Sequence, residues 1–88
     1  MSHIDYTFTL KARDVPGMLV RITQVFARRG CNIRSLQVIP PATEDRSDPW
    51  SMIVVDAYDV PRPDQIQYQL EKLIDVHSVS TKRHAIKG

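Results

Sequence analysis

The chain has 88 residues, of which 42% are hydrophobic and 25% charged, with a formal net charge of +2. That is the size and balance of one small globular domain, and the charge is too small to argue for a nucleic-acid partner. Such a chain buries only about 60% of the surface its unfolded form exposes, so pairing with another subunit would add needed stability. The one cysteine, Cys31, excludes an internal disulfide and any multi-cysteine metal site, and suits a reducing compartment. No apolar run approaches the ~18 residues of a membrane span, and the N-terminus has no signal-peptide core. A cytoplasmic protein without a membrane or nucleic-acid partner is expected.

From residue 4 to 12 the pattern alternates: Ile4, Tyr6, Phe8, Leu10 and Ala12 share one face, and Asp5, Thr7, Thr9 and Lys11 the other. This predicts a half-buried strand. Arg13-Asp14-Val15-Pro16-Gly17 interrupts it with turn residues. A helix over 16–29 follows, with Leu19, Ile22, Val25 and Phe26 as its core stripe. Asp14 or a neighbour caps it, Pro16 sits in its first turn, and Gly30 stops it. Arg28 and Arg29 fall in the last turn, where cations favour the helix dipole. A strand over 32–40 leads into Pro40-Pro41 and a polar hairpin loop over 42–48, expected to be mobile.

The next strand covers 50–58. Its apolar residues at both parities, Met52-Ile53-Val54-Val55, predict cover on both faces. Trp50 is placed at its edge. Pro61-Arg62-Pro63-Asp64 opens a helix over 63–74 with Ile66, Leu70, Leu73 and Ile74 toward the core. A strand over 76–83 completes the chain, followed by a basic tail.

The order is β-α-β-β-α-β within one domain, 1–88. The expected fold class is therefore α+β and ferredoxin-like, with a four-stranded antiparallel sheet and both helices on one face. The other face and one edge still need cover.

The turn between the first strand and helix has chemical potential. A helix N-terminus leaves backbone N–H groups free, and with the helix dipole these suit an anion such as an α-carboxylate. Gly17 lets a ligand approach the backbone closely. Asp14 can accept hydrogen bonds from an α-ammonium, and Asn32 can read either group. Each also has a plainer reading: Asp14 as a helix cap, Pro16-Gly17 as a turn, Asn32 as a turn residue after Gly30. His3, His77 and His84 lack metal-ligand spacing and are expected at the surface. Cys31 is expected to be small, buried and inert. No nucleophile-base, paired-carboxylate or phosphate-loop arrangement emerges.

The run Asp14-Val15-Pro16-Gly17-Met18-Leu19, with Ile22, Phe26, Gly30, Asn32-Ile33 and Leu36, closely resembles the ACT domain signature. Phe26 to Leu36, and Gln69 to Val76 followed by Val79, resemble more narrowly the regulatory small subunits of acetolactate synthase. The resemblance spans Tyr6 to Thr81. Asp14 stands where many members have Asn, and many members carry a long C-terminal domain. The resemblance implies a regulatory subunit with no catalytic residues that binds a branched-chain amino acid, most often valine. Its ligand contacts would be Asp14, Val15, Pro16, Gly17, Met18 and Leu19 on one side and Asn32 and Ile33 on the other, shared across an interface in a homodimer. It also implies assembly with a catalytic subunit, on which thiamine diphosphate, FAD and Mg²⁺ would reside, none of them on this chain. A stand-alone ACT sensor of another enzyme is the nearest alternative. An RNA-binding module shares the topology, but Tyr6 and Phe8 lie on the expected core face rather than free to stack bases. An acylphosphatase-type enzyme fits poorly, because Arg13 and Asn32 do not recreate its motif.

Overall fold

A computed structural model describes residues 3–13, 16–41 and 50–86. The elements run β1 (His3–Arg13), α1 (Met18–Arg28), β2 (Asn32–Ile39), β3 (Trp50–Tyr58), α2 (Pro63–Glu71) and β4 (Val76–Ile86). The strands form one antiparallel sheet in the order β2-β3-β1-β4. The expected ferredoxin-like βαββαβ fold is therefore present.

Alternation decides which side of the sheet is covered. Phe8, Leu10 and Ala12 of β1 and Ile53, Val55 and Ala57 of β3 are buried on one face. Cross-strand pairs such as Phe8 with Val55 and Leu10 with Ile53 keep them there together. Against this face pack Met18, Ile22 and Phe26 from α1 and Ile66 and Leu70 from α2. The Phe8 and Phe26 rings meet edge to face with centroids 5.2 Å apart. Each such fully buried side chain contributes about 1.5–3 kcal/mol.

Several boundaries differ from the sequence reading. α1 begins at Met18 rather than at residue 16, because Gly17 takes a left-handed conformation (φ 83°) and is itself the N-cap. Pro16 therefore lies in the preceding turn. The later start gives the core slot to Met18, and the buried stripe is Met18, Ile22, Phe26. Leu19, next around the helix, is 43% exposed, and Val25 is half-buried.

α2 ends at Glu71, so Ile74 falls in a turn instead of a helical core position and is 94% exposed. Leu73 packs against the core in its place.

Among the described residues, β3 has cover on one face only. Ser51, Ile53, Val55 and Ala57 are buried beneath the helices, while Met52 on the opposite face is exposed. β4 extends to Ile86, past the expected end at 83, so His84 of the expected basic tail belongs to the strand. The predicted 42–48 loop lies outside the described residues.

Gly30 stops α1 as expected, at φ 69°. Its N–H donates to the Ala27 carbonyl at 3.2 Å, and the Cys31 N–H donates to the Phe26 carbonyl at 3.0 Å. This pair of bonds is a Schellman closure, which a left-handed glycine permits without Cβ strain. Cys31 is buried as expected, and burial raises its thiol pKa above the ordinary value, against a smaller opposing effect of Arg29.

The sheet's other face carries a polar chain through all four strands. Ser35 Oγ donates to Asp56 Oδ2 at 2.9 Å, and Thr7 Oγ1 donates to Asp56 Oδ1 at 2.5 Å. Thr7 Oγ1 also lies 2.9 Å from His84 Nε2. Its single proton goes to Asp56, so the imidazole is the donor in that second bond. Trp50 stacks on His77 at 4.8 Å, so that histidine closes an aromatic end rather than a metal site. Among the described residues no cluster of His, Cys, Asp or Glu could hold a metal ion. No helix of the described residues is long and apolar enough to cross a membrane.

Candidate functional site

The turn into α1 ends on a left-handed glycine because the chain must reverse from β1 into an antiparallel helix. The first intrahelical bond runs from Arg21 N–H to the Gly17 carbonyl at 3.0 Å. The N–H groups of Met18, Leu19 and Val20 come before it and have no acceptor within the helix. Glycine as cap supplies no side-chain acceptor, and the first turn holds no acidic residue. The positive end of the helix dipole is thus not neutralised by the helix itself. Pro16 and Gly17 are both exposed.

The predicted site residues divide into two groups. Pro16, Gly17 and Leu19 cluster at the start of α1, with Leu19 half outside. Met18 contributes only its backbone there, because its side chain is 3% exposed and belongs to the core. Asp14 and Val15 lie outside the described residues. Asn32 is exposed at the first position of β2, paired with Tyr58 on the open face, while Ile33 turns toward Ala57 and the core side. α1 separates the two groups: its 11 residues span about 16 Å. Within one chain, a small molecule at Gly17 does not reach Asn32.

One contributor escaped the sequence reading. Asp75, in the turn between α2 and β4, accepts the Arg13 N–H through its carbonyl at 2.9 Å. Its carboxylate lies 3.5 Å from the Arg21 guanidinium. Asp75 thereby ties the end of β1 to the first turn of α1. The Leu70-to-Val76 run contained the signal, but nothing local in it shows that a distant turn closes over β1.

The two aromatic residues of β1 are not displayed for base stacking. Phe8 is fully buried and Tyr6 packs against the core. On the open face, Trp50 and Tyr58 stand at opposite ends of β3, with Arg13 and Arg34 respectively over their rings.

Comparison with known proteins bears on the family and the fold. The family model described as the AHAS small subunit-like ACT domain matches residues 8–78. The acetolactate synthase small subunit of Mycobacterium bovis is 42% identical over 96 aligned positions, covering 99% of this chain and 55% of that protein. A probable acetolactate synthase small subunit of Archaeoglobus fulgidus is 37% identical over 75 positions, covering 85% of this chain and 45% of that one. The chain thus spans about half the length of these relatives. Among solved structures, the ACT domain of GTP pyrophosphokinase from Chlorobium tepidum superposes with a TM-score of 0.67 at 19% identity, covering 91% of this chain and 99% of that one. At that identity the likeness speaks for the fold alone. Sequence and fold together place the chain in the family of AHAS small subunit-like ACT domains.

Proposed function

We propose that this chain is the ACT portion of a regulatory small subunit of acetolactate synthase. On this reading it binds a branched-chain amino acid, valine foremost, between two copies of itself and conveys feedback control to a catalytic subunit in the cytoplasm. Thiamine diphosphate, FAD and Mg²⁺ would act on that catalytic subunit, and this chain supplies regulation rather than catalysis.

The observation that carries the reading is the placement of the two site halves at opposite ends of α1. An α-amino acid holds its carboxylate and ammonium on one carbon, so both halves serve one ligand only if they come from different chains. The unpaired edge of β2 offers a way. Antiparallel pairing of β2 with a second β2 sets Asn32 of one copy beside Ile39 of the other. β2 returns from the end of α1 toward its start, so that meeting point lies at the other copy's Gly17. Val38 and Ile39 on this edge are 41% and 46% exposed and Leu19 and Val20 at the helix start 43% and 58%, apolar surface that a second copy would cover.

The ligand carboxylate would take the N–H groups of Met18, Leu19 and Val20. The amide of Asn32 from the other chain, with Asp14, would take the ammonium. Leu19, and Val38 of the other copy, which shares the helix face with Ile53, would flank the branched side chain.

Thermal unfolding with valine, leucine and isoleucine tests this. At about 100 times Kd, linkage gives roughly 2.7 kcal/mol per site, a rise of about 10 °C or more for a domain of this size. Leu19→Asp sets a carboxylate among the donor N–H groups while suiting the helix N-terminus, so it should abolish the rise and keep the fold. No rise with any of the three in the wild type would refute the site.

A further inference from the structure

The helix layer contains a groove that the amino-acid site does not use. It lies between α1 and α2, has a volume of about 290 Å³, and is lined by Val25, Arg28, Arg29 and Gln69. Arg29 Nη1 donates to Gln65 Oε1 at 2.9 Å, which anchors that guanidinium at the groove wall and leaves its other donors uncommitted. Neither arginine joins an ion pair among the described residues, whose ion pairs involve Arg21, Arg34 and Arg62 instead. Two cations thus border a concave surface with a half-buried valine and an amide and no acidic lining residue.

Helix-dipole stabilisation accounts for one cation at the end of α1. It does not account for a second, nor for a groove held open beside them. The groove also sits toward the end of α1 remote from Gly17, on the sheet face opposite the Ser35-Asp56-Thr7-His84 chain. Edge pairing through β2 leaves the interhelical surface uncovered.

We propose that this groove is where the chain docks a carboxylate-bearing segment of its catalytic subunit, an Asp or Glu side chain entering between Arg28 and Arg29 with apolar neighbours against Val25. Charge complementarity selects the occupant. Arginine presents a planar fork matched to a carboxylate, and an anchored fork loses little freedom on binding. A free small anion is the weaker fit. A protein segment also brings apolar neighbours against Val25, which a free anion lacks. This proposal rests on the small-subunit reading, and its test separates the two.

The experiment measures binding of the chain to a purified acetolactate synthase catalytic subunit by surface plasmon resonance, for wild type, Arg28→Gln/Arg29→Gln and Arg28→Glu/Arg29→Glu. Circular dichroism and light scattering on each variant report fold and oligomeric state. The proposal expects wild-type affinity to fall with added salt. It expects the neutral pair to weaken binding about tenfold and the acidic pair further, with oligomeric state and the thermal response to valine retained. Wild-type affinity in both folded variants would overturn the groove assignment and leave the small-subunit reading intact. A change of oligomeric state in the variants would overturn it too, making the groove a contact between copies. Failure of the wild type itself to bind the catalytic subunit would overturn both readings.

Discussion

Arg34 stands 3.2 Å from the carboxylate of Asp5 while its guanidinium lies 5.1 Å from the centre of the Tyr58 ring. A β-bulge makes this possible. Ile33 pairs with Ala57 and Ser35 with Asp56, so Arg34 is the extra residue on β2. The Asp5 side chain is only 13% exposed, and its Oδ1 is buried with no hydrogen-bond partner among the described residues. Arg34→Ala strips this carboxylate of its counter-charge and should destabilise the domain by about 1–2 kcal/mol, the partial exposure of Arg34 holding the figure below that of a fully buried pair. Asp5→Asn/Arg34→Ala should recover part of the loss, because no charge is then left unpaired. Urea midpoints of the variants check this. A double variant no more stable than Arg34→Ala would contradict this.

Gly30 should tolerate replacement only at a cost. Its φ of 69° is left-handed, although a Cβ there would meet nothing within 4 Å. Backbone strain alone therefore sets the penalty, about 1–2 kcal/mol for Gly30→Ala and less for Gly30→Asn. Thermal denaturation of the two variants should preserve that order. The same strain applies at Gly17, where the surrounding space is equally open. A bulky residue at position 17 thus acts first through the backbone, which is why Leu19→Asp is the cleaner block of the ligand site.

Cys31 should give stability a falling slope at high pH. Burial raises its thiol pKa in the folded chain, so the unfolded chain releases the proton more readily. The stability is fully present below the ordinary thiol pKa of about 8.5 and is lost as pH rises beyond it. Urea midpoints at pH 7.5 and 9.5 for wild type and Cys31→Ala test this. The wild type should lose more across that interval, and parallel losses would contradict it.

The order of elements was legible because alternation in β1 and the stops at Pro16-Gly17 and Gly30 are local signals. Position within the helices was less so. Met18 and Leu19 are both apolar neighbours, and only the left-handed conformation of Gly17 decides which one faces the sheet. Ile74 continued the spacing of α2, but the helix closes at Glu71 and tight turns through Leu73 carry the chain into β4. The Arg34 bulge and the closure of Asp75 over β1 depend on residues far apart in sequence, so no local pattern shows them. At the candidate site, residue types suggested an amino acid, yet the distance between Gly17 and Asn32 came from the fold.

On the proposed reading, one ligand is shared between the helix start of one copy and Asn32 of another. Subunit complementation measures this by calorimetric titration of valine. Leu19→Asp chains and Asn32→Ala chains should each bind none alone, because every site in either homodimer carries a defect. Equal amounts of the two, unfolded together and refolded, should regain about one quarter of a site per chain, since half the dimers are then mixed and each mixed dimer holds one intact site. Recovery of that binding is the predicted result; a mixture as silent as its two components would contradict the account.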